Sequence, residues 1–160
     1  MTKPNLIYIL ADDMGYGDIS ALNENCGFRT PNLDEMAENG ICFTDAHATA
    51  AVCTPSRYGI LTGRYNWRSR LKSSVMGGYS EPLIERGRKT LTDMLKDNGY
   101  RTAMVGKWHL GMSFAKEEGF VEKPDFDACD HVDYAGKIED SPVSHGFEYF
   151  YGISASLDMP

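Results

Sequence analysis

With 160 residues and 42% hydrophobic content, the chain is long enough to bury an ordinary globular core, and one domain is the default expectation. A formal net charge of −7 argues against a general nucleic-acid binder or a protein drawn to anionic membranes, since both need a basic excess. No run approaches the roughly 20 apolar residues of a membrane-spanning helix, and no charged-then-apolar leader precedes Asn5. The compartment is left open: cytoplasmic, or periplasmic or secreted if a leader has been removed.

Residues 6–11 form a continuous apolar run bounded by a proline and two aspartates, the pattern of a buried central strand. Asp12 and Asp13 stand at its end. Neighbouring strand side chains point to opposite faces, so the two carboxylates converge only if the strand stops there, and Gly15 and Gly17 permit that turn. Adjacent carboxylates at a strand end suit a hard cation with oxygen ligands, calcium or magnesium, and read equally as a solvated pair on a loop. Thr30 or Asn32 caps a helix through Asn39, with Pro31 near its first position and Gly40 ending it, and a short strand follows at 41–43. Asp18 and Asp34 read as a loop stabiliser and an early-helix acid. His47 either lines a site or makes a structural hydrogen bond.

At Cys53-Thr54-Pro55-Ser56-Arg57 a helix is expected to begin at Thr54 or Pro55 and run to about Thr62, where Gly63 stops it. Its unpaired N–H groups and the positive end of its dipole point back at position 53, and Arg57 adds a full charge one turn in, so negative charge is stabilised there. Thr90-Leu91-Thr92-Asp93 is a capping-box sequence opening a helix to Asn98, closed by Gly99, and a buried strand is expected over 102–105. Lys107 and His109, two apart, project to one face if the segment is extended, with Trp108 turned away into packing. A lysine there can clamp negative charge, and a histidine can accept a proton near neutral pH.

Residues 117–144 turn acidic and irregular, with Asp125, Asp127, Asp130, Asp133, Glu139 and Asp140, and read as a surface excursion that carries His131. His145 looks structural, and the aromatic run at 146–153 returns to a strand pattern. Ser156 and Asp158 fall where a substrate-facing loop or a frayed end would lie. Strand and helix alternate from residue 6 to 105, which argues for an α/β sheet covered on both faces, with function gathered at the carboxyl ends of the strands. Cys26, Cys42, Cys53 and Cys129 have no Cys-x-x-Cys spacing, so neither a zinc site nor a disulfide framework is indicated.

Cys53-x-Pro55-Ser56-Arg57 followed by Leu61-Thr62-Gly63 resembles the signature of the type I sulfatases. Gly99-Tyr100-Arg101-Thr102 closing on Gly106-Lys107-Trp108-His109 resembles the second signature of the same family. The stretches at 5–18 and 30–34 extend the resemblance over nearly the whole chain. The resemblance implies an alkaline-phosphatase-like α/β sandwich with a largely parallel or mixed central sheet. It also implies that the 160 residues are the N-terminal part of a single catalytic domain whose further metal ligands lie downstream, so that the chain alone would be inactive and bind metal weakly.

In the family, the cysteine is oxidised to formylglycine by a formylglycine-generating enzyme. Carried onto this sequence, that gives Cys53 as the nucleophile and, with Asp12 and Asp13, a ligand of Ca2+ or Mg2+. Arg57 would hydrogen-bond the formylglycine hydrate, Lys107 would clamp the sulfate, and His109 would take the proton whose loss lets the aldehyde re-form and expel sulfate. The expected substrate is a sulfate monoester, a sulfated glycan or an aryl sulfate. Two alternatives stand beside this. One is a phosphonate or phosphate monoester hydrolase of the same superfamily, and the other an inactive module in which Cys53 stays a thiol.

Overall fold

A computed structural model describes residues 3–119 and 132–158. The chain forms two compact units, Met1–His47 and Ala48–Pro160.

In the first unit, helix α1 spans Pro31–Asn39, as the sequence indicates, with Pro31 in its first turn and Gly40 at its end. Its start is fixed by a knot of side chains. The Ser20 hydroxyl donates to Asp34 at 2.6 Å, while Thr30 Oγ1 and the Ala21 amide both donate to the other carboxylate oxygen at 2.8 Å. The Ser20 and Thr30 amides each donate to the other residue's hydroxyl at 2.9 Å. The Ser20 hydrogen bond, helped by those from Thr30 and Ala21, holds the Asp34 carboxyl below its ordinary value of 3.8.

Two expected strands of this unit do not form. Residues 6–11 and 41–43 carry no strand pairing, and Ile7 and Ile41 are 87% and 81% exposed. A β-strand exists only through a hydrogen-bonded neighbour, and among the described residues none pairs with either run. The chain does bend at Asp12 and Asp13, but Asp13 itself takes the positive φ, 58°, rather than leaving the turn to Gly15 and Gly17. Aspartate is among the residues that tolerate the left-handed region. Asp18 does stabilise the loop, accepting the Gly15 amide at 2.7 Å.

In the second unit, α2 spans Cys53–Thr62. It starts one residue before Thr54, the earlier of the two expected positions, placing Cys53 inside the first turn, and Gly63 ends it in a left-handed conformation with its amide on the Gly59 carbonyl. Helix α3 spans Leu91–Asp97, opened by the Thr90–Asp93 capping box. Strand β1, Ala103–Lys107, begins and ends later than the expected 102–105. It pairs in parallel with β2, Tyr149–Ile153, in a register running from Ala103↔Tyr149 to Lys107↔Ile153. The fold is α/β, and the sheet among the described residues has these two strands.

The core collects Tyr58, Met76, Leu83, Ile84, Trp108, Leu110, Met112 and Phe147. Trp108 turns into it as expected, 1% exposed, with its indole N–H on the Gly111 carbonyl. Its ring stacks on His145 at 5.8 Å. His145 is structural: Nε2 lies 2.8 Å from Asp140, and its carbonyl accepts the hydroxyls of Thr90 and Thr92, tying the start of α3 to the approach to β2. Asp140, expected on a surface excursion, is therefore mostly covered, while Asp125, Asp127, Asp130 and His131 lie outside the described residues.

Two outcomes follow. In the full-length polypeptide, Gly152→Ala places a Cβ 1.7 Å from the Gly106 carbonyl oxygen, a backbone atom that cannot swing aside. Urea denaturation should show a loss of about 1–3 kcal/mol or more, against a change within about 0.5 kcal/mol for Gly27→Ala, whose Cβ would meet nothing. A depressed carboxylate stabilises the fold above its unfolded pKa and loses that contribution as pH falls through the folded one. Asp34→Asn should therefore weaken the protein near neutral pH, and its difference from wild type should shrink as pH drops below 3.8, read from unfolding midpoints over a pH series.

Candidate active site

The second unit brings the first turn of α2 against the end of β1. Cys53 is half-buried at the helix N-terminus, where the first-turn amides and the helix dipole favour an anion. Ser56 fixes the entry of the chain, its hydroxyl reaching the carbonyls of Ala50 and Val52 at 2.8 Å each. Gly59 permits close approach on the same helix, since a Cβ there would lie 2.2 Å from Thr49 Oγ1.

Arg57 is 9% exposed, and its guanidinium donates to the Lys107 carbonyl. Thr54 is wholly buried, and its hydroxyl donates to the His109 carbonyl at 2.9 Å while accepting the Met76 amide at 3.2 Å. Thr54 and Arg57, in the first turn after Cys53, thus fasten α2 to the backbone of His109 and Lys107.

The expectation that Lys107 and His109 share a strand face needs correction. The strand stops at Lys107, and His109 adopts φ 58°. The ladder nevertheless continues on the β2 side: the Trp108 amide donates to Ile153 at 3.0 Å and the His109 amide to Ser154 at 2.8 Å. The His109 ring is fully buried with Nε2 2.7 Å from the Met76 carbonyl, and Lys107 is half-buried.

Thr54, Met76 and Ser154 were not singled out by sequence. Thr54 sits inside the Cys53–Arg57 motif, and its signal is that of a small polar residue in the first turn of a buried helix. Met76 and Ser154 act through backbone atoms, which leave no residue-type signal. Ser156 is half-buried and Asp158 exposed. His47 makes a hydrogen bond with Asp45, both strongly exposed.

Asp12 and Asp13 belong to the first unit, exposed at the bend in the chain. Their carboxylates have the donor chemistry of a hard cation. Two carboxylates fall short of the roughly six to eight oxygens calcium takes. Among the described residues no group of three or more His, Cys, Asp or Glu could hold a metal ion. Nor, among the described residues, is any helix long and apolar enough to cross a membrane.

The sulfatase family model matches residues 4–159. The chain belongs to the sulfatase family. Over 98% of its length it is 42% identical to an N-acetylgalactosamine-6-O-sulfatase of Bacteroides thetaiotaomicron, and over 96% it is 40% identical to human steryl-sulfatase. It spans 27% and 24% of those two proteins. A solved structure from the metabolism of multiple glycosaminoglycans by Bacteroides thetaiotaomicron superimposes with a TM-score of 0.80 at 41% identity, over 98% of this chain and 29% of that one. The likeness supports the alkaline-phosphatase-like α/β architecture implied by the sequence.

In this sulfatase chain, Arg57→Ala would leave the Lys107 carbonyl without the guanidinium that reaches it. The full-length polypeptide should lose about 1–3 kcal/mol in urea denaturation, the cost of a part-buried acceptor losing a charged donor.

Proposed function

We propose that this chain carries part of the catalytic apparatus of a sulfatase that hydrolyses a sulfate monoester on a glycan, with 6-O-sulfated N-acetylgalactosamine as the leading candidate. The observation that carries the reading is the fastening of the Cys53 turn to the Lys107–His109 turn through Arg57 and Thr54. That arrangement draws on two elements, α2 and the end of β1, which carry the residue types that sulfate transfer needs. The glycan preference rests on the relatives: one is named for N-acetylgalactosamine 6-O-sulfate, and the structural neighbour comes from glycosaminoglycan metabolism.

Conversion of Cys53 to formylglycine by a formylglycine-generating enzyme supplies an oxygen nucleophile in place of a thiol. The α2 N-terminus and Arg57 stabilise negative charge beside position 53. Lys107 places its ammonium against the sulfate oxygens, where charge builds as the ester bond breaks. His109, whose buried ring exchanges protons only with groups packed against it, accepts a proton from the nucleophile's side of the site. Asp12 and Asp13 would give carboxylate oxygens to Ca2+ or Mg2+, the remaining donors coming from elsewhere in the full-length polypeptide.

Mass spectrometry of the tryptic peptide covering residues 30–57, from the full-length protein made in its natural host, should show a mass lowered by exchange of the Cys53 thiol for an aldehyde. The same preparation should turn over 6-O-sulfated N-acetylgalactosamine or an aryl sulfate in preference to an aryl phosphonate, and Cys53→Ala should lower kcat by about a thousandfold or more. A Cys53→Ala variant as active as wild type, or a preference for the phosphonate, would sink the assignment.

A further inference from the structure

Thr54 is the residue whose side chain touches both backbone segments around His109. Its hydroxyl donates to the His109 carbonyl at 2.9 Å and accepts the Met76 amide at 3.2 Å. Met76 returns the contact through its carbonyl, which lies 2.7 Å from His109 Nε2. The three residues close a ring of hydrogen bonds, with Thr54 and His109 at 0% and Met76 at 3% exposure. A carbonyl oxygen can only accept, so the proton of this hydrogen bond belongs to Nε2. In a neutral imidazole the other nitrogen then carries the lone pair.

We propose that Thr54 is a positioning residue: by holding the backbone of Met76 and His109 together, it fixes the His109 imidazole as the Nε2–H tautomer and makes Nδ1 the nitrogen that accepts the proton. The inference rests on His109 acting as the proton acceptor of the proposed sulfatase reaction.

Backbone strain explains why a holding residue is needed. His109 sits at φ 58°, a region that a non-glycine residue keeps only where its surroundings over-determine it. The Ser154 carbonyl holds its amide, and the Thr54 hydroxyl holds its own carbonyl. Without the hydroxyl, the His109 carbonyl and the Met76 amide lose a shared buried partner, and the Met76 carbonyl is no longer locked opposite Nε2. The ring could then turn, or exchange its proton between nitrogens, while the helix and the core stay as they are.

The test uses the full-length protein with 15N-labelled histidine, the His109 signals being assigned by their disappearance in His109→Gln. Wild type and Thr54→Ser should show Nδ1 as the unprotonated, imine-type nitrogen. Thr54→Val, which keeps the shape and removes the hydroxyl, should show a mixture of tautomers. Thr54→Val should also lower kcat toward a sulfate ester by about tenfold or more with KM changed by less than about twofold, and Thr54→Ser should stay within about threefold of wild type. An Nδ1–H tautomer in wild type, or a Thr54→Val protein with wild-type tautomer and kcat, overturns the inference. Should wild type turn over no sulfate ester, the functional reading falls while the nitrogen spectra still decide the tautomer. Should Thr54→Val fail to fold, Thr54→Ala, which also lacks the hydroxyl, is read by the same spectra and kinetics, and a wild-type tautomer and kcat in it overturn the inference.

Discussion

The chain leaves β1 through a residue in a left-handed conformation, and the geometry of the site in Ala48–Pro160 depends on holding that residue there. His109 pays a conformational cost that glycine would avoid. It is held by backbone pairing to Ser154 beyond β2, by the Thr54 hydroxyl from α2, and by the Met76 carbonyl at its ring. Three separate segments thus converge on one turn. Strain of this kind is stable only inside a structure that over-determines it, and it marks places where geometry serves chemistry.

Helix α2 is positioned by contacts of quite different character along its length. Its first turn is fastened by hydrogen bonds in a nearly dry environment, where each unmet partner is costly. Further along, Tyr58 packs fully into the core, and burial together with the neighbouring Glu85 carboxylate pushes its phenol above the ordinary value. Arg64 and Arg88 both pair with Glu85 in a half-exposed cluster that solvent partly screens, so it adds little. The buried hydroxyl and guanidinium contacts therefore set where Cys53 stands, and the surface ion pairs do not.

Much of the local structure was legible because its signals are local. Pro31 and Gly40 bracket α1 through their own backbone preferences, while Gly63 ends α2 and the Thr90–Asp93 box opens α3 through hydrogen bonds spanning a few residues. Residues 6–11 and 41–43 depart from the strands their pattern indicates for the opposite reason. Their apolar runs state that burial is sought, but strand structure requires a pairing neighbour that a local pattern cannot supply. The shared face imagined for Lys107 and His109 failed because period-two alternation holds only while the backbone stays extended, and it stops being extended at His109.

By itself the sequence determined the family, the helix boundaries to within a residue or two, and which side chains are candidates for chemistry. These rest on residue identity at fixed spacing. Only the tertiary structure decided how Arg57, Lys107 and His109 meet, and that Thr54, Met76 and Ser154 are what holds them. Those contacts join residues tens of positions apart, and most run through backbone amides and carbonyls, which every residue carries and no residue type announces.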